Sequence, residues 1–173
     1  AYSMAEHYQW YEQEYGIVPN LSYNEYVLNG GDILQASINR CRMKGLVPFV
    51  TYRMNDAQLL QRREDDPPAG SAFHFLSKFY IEHVPEYCVG TGLTRDEMAQ
   101  NFAIEEVRQH RLSFINEIAS YDIEGIELDF HRYCSYFKLD ETTVQQRRDI
   151  MTQLMADIRQ VLDNNSKAGQ HKW

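Results

Sequence analysis

Between Ile126 and His131 the apolar residues Ile126, Leu128 and Phe130 alternate with Glu127, Asp129 and His131. A period of two sends the two sets to opposite faces of a strand. One face is expected to pack against covering helices, and the other to carry two carboxylates and an imidazole pointing the same way. Helical stripes flank this stretch. Val107, Leu112, Ile115, Ile118 and Ala119 share one side of a helix expected over 105–121. Val144, Met151, Leu154, Ile158, Val161 and Leu162 recur at helical spacing over 142–163. A strand with an ionisable face, set between two amphipathic helices, is expected to line a cleft or barrel with chemistry at its C-terminal end.

The first half of the chain carries a similar pattern. Asp32 is a plausible N-cap, Ile33, Leu34, Ile38 and Cys41 form a helical stripe, and Gly45 suits the position after the helix end. Leu46 to Tyr52 reads as a strand, with Pro48 near its start where the missing N–H is tolerated. Arg53, Asn55 and Asp56 follow directly. Residues 61–70 are loop, 73–87 an aromatic-rich excursion holding a short helix, and 101–103 a short third strand. Residues 1–31 read as a long aromatic loop broken by Gly16, Pro19, Gly30 and Gly31, with a helical turn or two over 5–15.

Strands alternating with helices imply an α/β domain with a parallel sheet. Gly30-Gly31 precedes a helix but lacks the GxGxxG spacing of a dinucleotide fold. Long loops after strand ends, loaded with aromatics and acids, favour a (β/α)8 barrel. A complete barrel takes roughly 250 residues, and this chain has 173. The expectation is therefore one domain over 1–173, a partial (β/α)8 TIM barrel without the first strand and the second half.

Composition narrows the function classes. The net charge of −8 disfavours a nucleic-acid partner, which needs a basic stripe. The three cysteines are widely spaced with no CxxC, so neither a disulfide framework nor a zinc site is indicated, and no metal or cofactor is expected. No run reaches the length of a membrane span, and the N-terminus lacks the basic-then-apolar layout of a signal peptide. Twelve tyrosines within a 13% aromatic share suit carbohydrate or protein recognition.

Two stretches carry a resemblance. NFAIEEVRQHRLSFINEIASYDIEGIELDF resembles a segment of bacterial glycosyl-hydrolase-like TIM-barrel proteins that reads LNPAHPEVR and then YDVDGIHLD. GLVPFVTYRMND, followed by SKFYIEHVPEY, is similar to the RMND and FWREHPEW pattern of related family-10-like glycosidases. The likeness covers most of residues 32–163. Ile104-Glu105 replace the usual His-Pro, Glu124 replaces an Asp, and Val84 interrupts the His-Pro-Glu run. In chitinase-like barrels a Glu closes a comparable strand, whereas this chain has His131, so that mechanism does not transfer.

The resemblance implies hydrolysis of a glycan by carboxylates, with a carbohydrate as partner. Asp129, nearest the strand's C-terminal end, is the first candidate for a catalytic carboxylate and Glu127 the second. Two positions apart on a strand, their Cα atoms lie about 6–7 Å apart, on the scale over which glycosidase carboxylates flank a bond. Glu127 also reads as a structural acid paired with Arg53. Arg53, Asn55, Asp56, His131 and Arg132 are candidate substrate-binding residues; Asn55 or Asp56 could instead cap a turn. Trp10, Phe73, Phe79, Tyr80 and Tyr87 could stack on sugar rings or form a loop's own small core. A non-catalytic carbohydrate-binding module and an assembly module, its open sheet edges covered by another copy, are the rival readings.

Overall fold

A computed structural model describes residues 13, 21–55, 78–91 and 96–166. In chain order these form α1 (Leu21–Leu28), α2 (Ile33–Met43), β1 (Phe49–Arg53), α3 (Lys78–Glu82), α4 (Glu105–Ser120), β2 (Gly125–Asp129) and α5 (Val144–Asn164).

Local chemistry explains the helix ends. The Asp32 side chain accepts from the Gln35 N–H at 2.8 Å and starts α2. At its other end Gly45, with φ +70°, lets Leu46 N–H reach the Cys41 carbonyl and Gly45 N–H reach that of Arg42, which satisfies two terminal carbonyls. Thr143 and Gln146 form a reciprocal capping box at the start of α5. α4 starts at Ile104 without a side-chain cap. Glu105 and Glu106 in its first turn complement the helix dipole. One turn on, Arg108 donates back to the Phe102 and Ala103 carbonyls.

β1 and β2 pair in parallel, Phe49 opposite Gly125 through to Arg53 opposite Asp129. Pairing continues past both ends, from Glu124 N–H to the Pro48 carbonyl and from Met54 N–H to the Asp129 carbonyl, each at 3.0 Å. Alternation divides the residues of both strands between two faces, in β2 as expected. Val50, Tyr52, Ile126 and Leu128 face the core, where α4 and α5 supply Val107, Leu112, Ile115, Leu154, Ile158 and Leu162. Each such side chain taken fully out of water contributes about 1.5–3 kcal/mol. Phe49, Thr51, Arg53, Glu127 and Asp129 form the opposite, open face.

The barrel expectation is overturned. Among the described residues there are five helices and a single two-stranded parallel sheet, a small α/β domain rather than any part of an evident (β/α)8 barrel. The third strand expected at 101–103 does not form, because its backbone is used elsewhere. Asn101 N–H goes to the Tyr87 carbonyl, Phe102 N–H to that of Tyr136, and Ala103 N–H to the Asn101 side chain. The run is thereby fixed as a turn leading into α4. Gln100, just before it, makes only an isolated antiparallel bridge to Cys88. Within the stretch expected to be loop, residues 21–28 are helical.

Candidate functional site

The C-terminal ends of parallel strands are where side chains of neighbouring elements converge in α/β sheets. Here the parallel register sets Arg53 beside Asp129 and Thr51 beside Glu127. Neighbouring strands lie about 4.8 Å apart, so an acid, a guanidinium, a hydroxyl and a second acid share one small patch of the open face. Thr51 Oγ1 donates to Glu127 Oε2 at 2.8 Å. Asp129 Oδ1 accepts the His131 backbone N–H at 2.8 Å, the turn that ends the strand. Glu127 is exposed and Asp129 half-buried.

The remaining expected site residues divide between surface and interior. The His131 and Arg132 side chains are exposed, and the Arg132 guanidinium lies over the Tyr133 ring at 5.6 Å. Asn55 is fully buried. Its Nδ2 donates to the Gln100 and Ser135 carbonyls, each at 3.1 Å, and its Oδ1 accepts the Gln100 N–H at 2.9 Å. Asn55 thus joins the end of β1 to the loops before α4 and after β2. Asp56 lies outside the described residues.

Residues that sequence reasoning did not single out complete the neighbourhood. Arg111, from α4, donates to the Tyr52 hydroxyl at 3.2 Å and to Gln100 Oε1. These residues lie on the core side of the strands. Beside the turn, the Tyr136 hydroxyl donates to the Phe130 carbonyl at 2.7 Å. Burial, with Cys134 and the Asp129 carboxylate adding to it, pushes the Tyr136 phenol well above its ordinary range, so it remains a proton donor at every working pH. Thr51 was legible in principle: it has the parity of Arg53 in β1, and a parallel register matching acids to that parity brings it to Glu127.

Of the aromatic excursion, the described rings over 78–87 are packed inward. Tyr80 is buried and donates to the Met98 carbonyl at 2.6 Å. Phe79 stacks on His110 and contacts His83 and Tyr87. Tyr80 joins a small separate core with Cys88, Met98, Ala99 and Tyr133, whereas Phe79 and Tyr87 pack against the main core; Trp10 and Phe73 lie outside the described residues. At the other end of the sheet, Arg42 pairs with Glu124 at 2.8 Å. The Tyr121 hydroxyl donates to Asp32 Oδ2 at 2.7 Å. Burial and that carboxylate push the Tyr121 phenol up to about 12.

Among the described residues no three His, Cys, Asp or Glu side chains gather as a metal site, and no helix is long and apolar enough to cross a membrane. Compared with protein-family models and with curated proteins, the chain matches none.

The Asn55 geometry gives a direct test. Asn55→Ala leaves a buried N–H and two carbonyls without their partner, and each such group costs on the order of 1–3 kcal/mol. Urea denaturation is expected to show a loss of roughly 3 kcal/mol or more, and a loss within the scatter of surface variants would contradict the clamp.

Proposed function

We propose that this protein hydrolyses a glycan at the open face of the β1–β2 sheet, with Asp129 as the central carboxylate. The observation that carries the reading is the parallel register, which sets Arg53 beside Asp129 and Thr51 beside Glu127 on one solvent-facing patch. Glycoside hydrolysis needs two carboxyl groups on either side of a sugar–oxygen bond, one to protonate the departing oxygen and one to act as base or nucleophile. Asp129, held by the turn at the strand's end, is positioned to act on a bound sugar. Thr51 orients Glu127, and Arg53 offers a planar fork for a carboxylate or sugar hydroxyls. The resemblance to family-10-like glycosidases supports the same assignment. Asp129→Asn is expected to lower turnover on a responsive glycan by roughly 10²- to 10⁴-fold, the usual weight of a positioned acid or base, while glycan binding persists. Undiminished turnover in Asp129→Asn would sink the proposal.

A second reading, a module that assembles with another copy, is favoured by a different observation. Met43, Leu46, Val47 and Phe49, at the N-terminal end of β1, are 75%, 59%, 63% and 54% exposed. An apolar rim beside a sheet that has two strands among the described residues is a surface that a partner strand or sheet would cover. Light scattering separates the readings: a concentration-dependent dimer that Phe49→Lys abolishes supports assembly, and a monomer at all concentrations removes it.

A further inference from the structure

The short helix α3 and the turns after it lie against α4 through a ladder of rings. Phe79 stacks on His110 with centroids 4.0 Å apart, His83 stacks on Tyr87 at 4.3 Å, and Phe79 touches both His83 and Tyr87. On its other side His110 meets the edge of Phe114 at 4.9 Å, and Phe114 in turn lies against Tyr52 of β1. His83 Nδ1 is hydrogen-bonded with the Phe79 carbonyl at 2.7 Å. His110 Nε2 is buried and has no hydrogen-bond partner among the described residues. A neutral imidazole leaves that nitrogen as an unused acceptor at modest cost. A protonated one would bury a charged N–H with nothing to receive it.

We propose that the Phe79–His110 stack is an acid-sensitive latch, which pins the 78–87 segment to α4 while His110 is neutral and releases it when His110 is protonated. The surrounding charges act in the same direction. Burial, with Arg111 on α4 and His83 from the segment adding to it, disfavours a cation at His110 and holds its imidazole down at about 4. Arg111 is tied to Tyr52 and Gln100, so it does not swing away to relieve the repulsion. Glu106 and Glu86 act on Tyr87, one ring removed.

Which side yields follows from how each is held. α4 buries Val107, Leu112, Ile115 and Ala119 in the main core, whereas α3 is five residues long, with Tyr80 in a smaller cluster and Phe79 half-buried at the edge of the main one. The segment is therefore the side that opens. Its movement reaches the strand ends, because the Tyr87 carbonyl accepts the Asn101 N–H and Gln100 is held by Asn55.

The sign of the pH dependence is fixed by the lowered value. The latch is at full strength above the ordinary histidine value of about 6.5 and weakens as pH falls toward about 4. Hydrogen exchange of the whole chain, corrected for intrinsic rates, tests this at pH 7 and pH 4.5. Amides of 79–87 are expected to lose protection by on the order of tenfold or more, while those of α5 keep theirs. In His110→Phe, which retains the stack without the titrating nitrogen, protection of 79–87 should not change with pH. The same loss in His110→Phe, or an equal loss across α5, would overturn the latch. An NMR titration of wild-type His110 reads the coupling independently: neutrality down to about pH 4 supports it, and an ordinary midpoint near 6.5 overturns it.

Discussion

Two parallel strands hydrogen-bonded to each other have no stability alone, so everything at the strand ends depends on what covers one face of the β1–β2 pair. α4 and α5 supply that cover, packing Ile115, Leu154 and Ile158 beneath Val50, Tyr52, Ile126 and Leu128. Burying one face fixes the register, since a slip by one residue would turn Glu127 and Asp129 into the core and Leu128 out to water. Hydrophobic packing on one side thus determines which charges meet on the other. Arg53 lies beside Asp129 because Tyr52 and Leu128, both half-buried, pack against the core together.

Polar contacts then refine the positions. Asn55 anchors the end of β1 to the loops on either side, and the turn at His131 holds Asp129 at the end of β2. Arg111 links Tyr52 to Gln100 from the core side. The candidate site is an open face whose residues are aligned by backbone pairing, supported from behind by a buried polar network. A catalytic face needs that division of labour, because rigid support and access to substrate are demanded of opposite sides of the same strands.

Much of this was readable in the residues. Strict alternation from Ile126 to Phe130 identified β2 and the face of its acids, and long apolar stripes identified α4 and α5. Asp32 and Gly45 marked the ends of α2 by their capping chemistry. Four features were not readable. The 21–28 helix carries its aromatics without a clear one-sided stripe, so glycine and proline nearby dominated the reading. The 101–103 run has strand-like composition, yet its N–H groups are taken by Tyr87, Tyr136 and its own Asn101 side chain, partners remote or conformational in origin. The parallel sheet was read from the order of strands and helices and the barrel from long aromatic and acidic loops after the strand ends, which are local signals. How many strands pair is a global one, and here the described strands pair only with each other. Burial of Asn55 was equally hidden, because its partners Gln100 and Ser135 come from distant loops.

The central claim is that glycan engages the open face of the strand pair around Asp129. Backbone amide shift mapping by NMR, during titration with mixed oligosaccharides, tests it most directly. The account predicts perturbations concentrated at 51–54 and 127–132, with the core side of α4 and α5 unmoved. Perturbations confined to another surface, or none with any glycan, would contradict it.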